Sequence, residues 1–239
     1  IIRMFQPQVF VHLGWDEIPD FSYEKCAGNL QTSVYLLNAV SQAESCLKII
    51  TSGSCLEYDH PHMLCNEKDA VKERDFFTWS KLSLMRYQNM ICGQYSMQSC
   101  WARIFYAYGP GQRPGSLMPH IIKKISRGDD PCIKTPENSN DFIYVADVAS
   151  ALHSLINTQN ASGVYNIGSG YLTKIHDVCQ RISMLVDSKS SDLLKKNDHK
   201  AGTGFYADIK RLTEHTGWLP RCSLDQGLRE MLKVNNAVA

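Results

Sequence analysis

Apolar and polar positions along the first half of this chain alternate between two periodicities. Short apolar runs rich in β-branched residues predict buried strands, and apolar residues spaced three and four positions apart predict helices with one buried face. Strand, helix, strand, helix and strand are predicted in turn at 9–13, 29–43, 47–51, 74–90 and 99–106. This alternation is typical of parallel strands joined by crossover helices, so we expect an α/β doubly wound sheet.

The second half of the chain has a more mixed pattern. A predicted strand at 142–145 leads into a helix at 147–156, and a strand at 164–167 ends in Gly168-Ser169-Gly170. Further helices are predicted at 117–126, 175–186, 208–216 and 224–234. We therefore expect the sheet domain over 1–108 and mainly a smaller C-terminal lobe over 109–239, with 142–170 partly returning to the sheet domain.

Composition narrows the class of protein. The 239 residues carry 25 Lys and Arg against 24 Asp and Glu, so no basic excess indicates a nucleic acid or a membrane surface as partner. Nine cysteines without a C-x-x-C pair indicate free thiols in a reducing, cytoplasmic setting. His60, His62 and Cys65 form a compact cluster, but no second distant pair accompanies it, so we expect a loop there and no metal site.

Seven short phrases, spread in order over nearly the whole chain, carry the functional signal. They are Val11 to Trp15 with Asn29, Ser52 to Tyr58, Ser80-Lys81-Leu82, Arg103 to Gly111, Asp141 to Val148, Tyr165 to Gly170, and Ala207-Asp208 with Gly217 to Pro220. Together they resemble the extended short-chain dehydrogenase/reductases of the NAD-dependent epimerase/dehydratase family, which modify nucleotide sugars. The resemblance implies a Rossmann-like parallel sheet, a C-terminal substrate lobe, NAD or NADP, a nucleotide-sugar substrate and a possible homodimer through the helices at 29–43 and 74–90.

The resemblance begins only at the family's fourth strand. In that family the first βα turn carries a G-x-x-G-x-x-G loop that holds the cofactor phosphates, and this sequence contains no such loop. We therefore expect the first βαβαβ half of the sheet to be missing from the sequence, and the strand at 9–13 to border an open edge or another chain. We also expect the 239 residues alone to bind NAD(P) weakly.

The family's chemistry uses a tyrosine that transfers the hydroxyl proton, a lysine four residues later and a Ser or Thr at the end of the preceding strand. By resemblance, Ser54 and Lys81 stand at the serine and lysine positions, and Phe77 stands at the tyrosine position. A phenylalanine has no proton to give. Because general acid–base groups contribute roughly 10²–10⁴ in rate, this departure alone predicts a nearly silent enzyme.

The resemblance also implies which residues bind ligands. Lys81, His12 and Gly14 are expected to contact the cofactor. Substrate contacts are expected from Asn29, Tyr106, Asn140 and Lys200. The last two stand where the family usually has arginines, so bidentate phosphate recognition is lost at one and weakened at the other.

Two functions remain open at this stage. The first is an NAD(P)-linked nucleotide-sugar epimerase or keto-reductase homologue, impaired by Phe77. The alternative is a catalytically silent family member that acts as a binding or partner subunit. Loss of water from the sugar is disfavoured, because Cys55 and Leu56 stand where dehydratases of the family carry an Asp-Glu pair.

Overall fold

The structure is a computed structural model that describes residues 2–59, 63–186 and 202–237. Its strands are β1 (Val9–His12), β2 (Lys48–Ser54), β3 (Leu64–Cys65), β4 (Gln98–Ile104), β5 (Tyr106–Tyr108), β6 (Ser139–Asn140), β7 (Phe142–Tyr144), β8 (Gly163–Ile167), β9 (Thr173–Lys174) and β10 (Gly204–Ala207). Its helices are α1 (Ile2–Phe5), α2 (Tyr23–Ser41), α3 (Phe76–Gln94), α4 (Leu117–Ile125), α5 (Val145–Asn157), α6 (Ile175–Leu185), α7 (Lys210–Thr216) and α8 (Leu224–Ala237).

A four-stranded parallel sheet in the order β1-β2-β4-β8 forms the centre of the fold. Successive side chains of a strand point to opposite faces, so the sheet is covered on both sides. Ile49 packs with residues of α2 and α3 on one face, and Ile50 packs with residues of α5 on the other. The prediction of an α/β fold with a parallel sheet is confirmed.

Strand β1 lies at one edge of this sheet. It pairs with β2 in parallel, from Val9 opposite Lys48 to His12 opposite Thr51. No other strand of the described residues pairs with its far side. The edge position agrees with the expectation for the strand at 9–13.

A second group of elements follows β4. The chain leaves the main sheet at Phe105, whose amide donates to Ile167, while the amide of Tyr106 donates to Asp141. The single strand expected over 99–106 is therefore two strands, and β5 pairs with β7 in a separate two-stranded sheet. Helices α4, α6 and α8 pack around an apolar cluster of their own. The domain bounds stay a prediction.

The N-terminal ends of two helices differ from their predicted positions. Helix α3 begins at Phe76 because Asp75 caps it, accepting a hydrogen bond from the amide of Thr78 at 2.7 Å. Helix α2 begins at Tyr23, six residues before the predicted start, after the extended Ser22. Among the described residues, no helix combines the length and the apolar character that a membrane span requires.

Candidate active site

Lys81 lies on the face of α3 that packs against the main sheet. Phe77, Lys81, Leu84 and Gln88 are all buried, and their spacing of four, three and four residues places them on one helix face. The Lys81 side chain is only 4% exposed, and its Nζ donates to the backbone carbonyl of Ser52 at 3.0 Å. The predicted lysine therefore sits at the end of β2, where parallel α/β sheets place their ligand sites.

Burial sets the charge state of the Lys81 amine. Desolvation lowers the pKa of Lys81 from 10.5 to about 8, although the nearby charges of Glu57 and Cys26 raise it. Burial and the charge of Lys81 together lower the pKa of His12. Lys81 thus remains mainly protonated near pH 7, and His12 is disposed to be neutral beside it.

His12 is tied to α2. Its Nε2 lies 2.9 Å from the hydroxyl of Ser33, and that hydroxyl donates to the carbonyl of Asn29 at 2.7 Å. A serine hydroxyl has one proton, so the imidazole N–H must be the donor in the His12–Ser33 bond. This bond assigns the Nε2–H tautomer to the neutral His12 ring.

Phe77 is buried among aromatic rings one turn from Lys81. Its ring centroid lies 5.8 Å from the Lys81 Nζ, 4.5 Å from the Phe21 ring and 5.6 Å from the Trp15 ring. The Trp15 ring itself lies 4.0 Å from the Lys81 Nζ, in cation–π geometry. Sequence reasoning placed Phe77 and Lys81 on a shared face but did not foresee Trp15 and Phe21 above them.

Ser54 ends β2 and begins a short 3₁₀ turn, Cys55–Glu57. Its hydroxyl accepts from the Leu56 amide at 3.2 Å, and its own amide donates to the Glu57 carboxylate at 2.7 Å. In the part of the chain that the structure describes, no hydrogen bond joins Ser54 to Lys81. The serine and the lysine lie at the same end of the sheet but do not touch.

A buried ion pair behind Ser54 was missed by sequence reasoning. Glu57 is 0% exposed and Arg103 is 2% exposed, and the Arg103 Nε donates to Glu57 Oε2 at 2.8 Å. The Trp101 indole N–H donates to the same carboxylate at 3.0 Å. The pair therefore positions the Ser54 turn. Its signal was present, because both charged residues fall within the phrases that carry the family resemblance.

The predicted substrate residues fall into two places. Asn29 binds the segment between β1 and α2: its Oδ1 accepts from the Asp16 amide at 2.7 Å, and its Nδ2 donates to the Asp16 carbonyl at 3.2 Å. The Tyr106 ring packs against Phe205, and Asn140 pairs with Phe205 across β6 and β10. Thus Asn29 is linked through Ser33 to His12, with Gly14 beside the His12 ring, whereas Tyr106 and Asn140 lie together around Phe205. Phe77 and Lys81 both contact Trp15. Lys200 lies outside the described residues.

The cysteine and histidine predictions have mixed outcomes. All nine cysteines are free. Cys65 is fully buried on β3, not in a loop, because β3 pairs with β10. His60 and His62 lie outside the described residues. The residues that the structure describes contain no group of three or more His, Cys, Asp or Glu side chains able to hold a metal ion.

The donor set around Lys81 can be compared with what a dinucleotide requires. An ammonium group and an imidazole suit the hydroxyls of a ribose, and two further polar atoms nearby in the chain, Trp15 Nε1 and Thr51 Oγ1, are buried without a partner. The chemistry of these groups fits the cofactor. The Trp15 ring, however, lies on the amine that a ribose would contact. The residues therefore fit a ribose of NAD(P) once that ring has moved aside.

Comparison with known proteins identifies the family. A family model described as the NAD dependent epimerase/dehydratase family matches residues 1–168. The chain is 26% identical to the dTDP-4-dehydro-6-deoxyglucose reductase of Escherichia coli over 244 residues, covering 98% of this chain and 76% of that protein. It is 28% identical to the GDP-6-deoxy-D-mannose reductase of Pseudomonas aeruginosa over 160 residues, covering 59% and 51% of the two chains.

Solved structures share the fold. RMD from Pseudomonas aeruginosa, complexed with NADPH, has a TM-score of 0.82 at 21% identity, covering 98% of this chain and 83% of that one. UDP-glucuronic acid 4-epimerase from Bacillus cereus, in complex with NAD, has a TM-score of 0.85 at 18% identity, covering 100% and 78%. At these identities the likeness establishes the fold alone.

Proposed function

Because this chain belongs to the NAD-dependent epimerase/dehydratase family, we propose that it is an NAD(P)-linked nucleotide-sugar reductase or epimerase whose proton transfer is impaired at Phe77. The observation that carries the proposal is the face of α3. A lysine amine and the ring of Phe77 lie one turn apart at the end of β2. By resemblance, this ring stands at the tyrosine position of the family.

The residues have distinct roles in the proposed reaction. NAD(P), when bound, exchanges a hydride with a sugar carbon, and Lys81, His12 and Gly14 would hold it. Lys81 supplies a positive charge that stabilises a developing oxyanion. The Ser54 hydroxyl accepts from the Leu56 amide, and its own O–H points at no acceptor among the described contacts, so it can donate to the sugar oxygen.

Phe77 removes the proton-transfer step from this set. A phenyl ring neither accepts the sugar proton nor returns it, so water must do so, at a loss of roughly 10²–10⁴ in rate. Cys55 does not substitute as an acid or a base, because burial raises the pKa of its thiol well above the ordinary value. Reduction is favoured over epimerisation, because the reductase of Escherichia coli is the relative matched over 98% of this chain.

The test is single-turnover hydride transfer with a panel of 4-keto nucleotide sugars, comparing Phe77→Tyr with the unaltered protein at a high, fixed concentration of NAD(P)H that offsets the weak cofactor binding expected of this chain. We expect the variant to be faster by up to roughly 10²–10⁴. Phe76→Tyr is the matched control, because Phe76 precedes it on α3 but is 50% exposed and lies off the buried face. Equal, appreciable rates for the unaltered protein and Phe77→Tyr would show that another group carries the proton.

A second function, a catalytically silent nucleotide-sugar-binding subunit, is favoured by one observation. The Lys81 amine is covered by the Trp15 ring and bonded to a backbone carbonyl, so it is not directed at a ligand. In that case Phe77→Tyr gains no turnover, while equilibrium dialysis still detects nucleotide-sugar binding by both proteins.

We further propose that two copies of the chain form a homodimer through α2 and α3. We also propose that the protein works in a reducing compartment. The two helices expose Tyr35 (67%) and Met90 (75%), large apolar side chains that a second copy would cover. The nine free cysteines support the compartment. Sedimentation equilibrium of the protein and of Tyr35→Glu tests the dimer: a monomer in both cases contradicts it.

A further inference from the structure

We infer that Trp15 is a movable cover on Lys81, so that a ligand reaches the Lys81 amine only after the indole ring has moved away. The cover is part of the segment between β1 and α2, residues 13–22, which we call the Trp15 segment. The inference deepens the proposed function and rests on it only for the identity of the ligand, NAD(P).

The contacts of the amine define the cover. One proton of the Lys81 amine is used by the Ser52 carbonyl at 3.0 Å. Another side of the amine faces the Trp15 ring at 4.0 Å, and the Phe77 ring lies beyond at 5.8 Å. One side of the amine is therefore covered by a side chain of a surface segment.

Most residues of the Trp15 segment face solvent. Leu13, Gly14, Asp16 and Glu17 are all exposed, whereas Trp15 is only partly exposed because its ring turns inward. The indole ring of this exposed segment thus lies over the Lys81 amine. A change in the orientation of that ring is enough to expose the amine without disturbing β1 or α3.

The segment is held by ring contacts, by Asn29 and by a surface ion pair with α2. Phe21 packs on Phe77 with ring centroids 4.5 Å apart. Asn29 binds both backbone polar groups of Asp16. Phe77 also meets Trp15 edge-on, so the phenyl ring at the tyrosine position is a contact for both aromatic residues of the segment.

The energy of the closed position is balanced. A cation–π contact with the amine favours it. The Trp15 indole N–H is buried there without a hydrogen-bond partner, and an unmade hydrogen bond costs an amount comparable with that gain. The unmade hydrogen bond thus offsets part of what the ring gains from the amine and from Phe77, which lowers the preference that a ligand needs for the open position.

The experiment measures the reactivity of the Lys81 amine directly. The full chain is treated with an amine-acylating reagent, and modification of each lysine is followed over time by peptide mass spectrometry. We expect Trp15→Ala to raise the rate at Lys81 by about tenfold or more. Trp79→Ala is the matched control, since it removes another partly exposed indole ring, one on α3 close to Lys81 in the chain, and should leave the rate unchanged.

Lys48 serves as an internal reference for unfolding. Lys48 is 3% exposed, and its amine donates to the carbonyls of Leu155 and Thr158 at the end of α5. None of these hydrogen bonds involves the Trp15 segment. If Trp15→Ala merely loosens the fold, Lys48 and Lys81 gain reactivity together. A rise at Lys81 alone supports the cover, and an unchanged or parallel rate overturns it.

A second arm separates this inference from the proposed function. With NADPH present, Lys81 should be protected in Trp15→Ala at a lower concentration of NADPH than in the unaltered protein, by roughly tenfold. If NADPH protects neither protein while Trp15→Ala still exposes Lys81, the cover stands and NAD(P) binding is refuted. If NADPH protects both equally, the ring does not compete with the cofactor and the inference is wrong.

Discussion

Replacing Lys81 by methionine should change how the stability of the protein depends on pH. Methionine keeps the length of the side chain and removes the amine that titrates. In the folded protein the pKa of Lys81 is about 8, against 10.5 for an exposed lysine. Between these two pH values Lys81 is protonated in the unfolded chain but not in the folded one. Its contribution to the free energy of unfolding therefore rises with pH over this range.

The magnitude follows from the two pKa values of Lys81. At 1.36 kcal/mol per pKa unit, the lysine lowers the free energy of unfolding by about 3 kcal/mol below pH 8, and this penalty disappears by about pH 10.5. Lys81→Met lacks this reduction in the free energy of unfolding at every pH. The stability of the variant relative to the unaltered protein should therefore fall by about 2 kcal/mol between pH 8 and pH 9.5.

Urea unfolding at several pH values between 7.5 and 9.5 measures this difference. The charge of Lys81 also interacts with His12, Cys26 and Glu57. A control variant must therefore replace a lysine by methionine at a position away from these residues. Lys210→Met serves as that control, since its amine is exposed on α7. A constant stability difference between Lys81→Met and the unaltered protein would refute the depressed pKa and the burial that causes it.

Three further substitutions test the frame of the site. Arg103→Leu should lower the free energy of unfolding in urea by about 3–5 kcal/mol, because Glu57 would keep a buried charge without its partner. The double variant with Glu57→Leu should regain much of that lost stability, because both charges are then absent. Gly53→Ala should lower the free energy of unfolding by about 1–3 kcal/mol, because the added Cβ would overlap the side chains of Trp101 and Glu57. Gly28→Ala on α2, where the added Cβ meets no other atom, should be neutral or stabilising in the same assay. Asp141→Asn should lower the melting temperature, because the carboxylate accepts from three backbone amides and an amide group cannot accept from all of them.

The local structure of this protein follows from its sequence. Alternation of apolar runs places β1, β2 and β4 within a few residues of their observed bounds, and the helical spacing of apolar residues does the same for α5 and α8. A spacing of four residues on a helix puts Phe77 and Lys81 on one face wherever that helix packs. These features depend on neighbours in the chain, which the sequence displays directly.

The first residue of a helix, and the point where the chain passes from one sheet to another, are harder to predict from the sequence. Each depends on a single hydrogen bond. Asp75 sets the first residue of α3 by accepting a hydrogen bond from Thr78, and hydrophobic spacing does not show a cap. The run at 99–106 looks like one strand, but Phe105 bonds to one sheet and Tyr106 to another. Only the positions of both sheets reveal that break.

The tertiary structure alone decided which residues surround the amine. Trp15 reaches Lys81 across 66 positions of the chain, and Glu57 reaches Arg103 across 46. Such contacts require the packing of α3 on β2 and the parallel register of β2 with β4, and no local pattern encodes them. The sequence therefore determined the elements and the absence of a tyrosine beside Lys81. The covering of that lysine and the ion pair behind Ser54 were decided by how the elements pack.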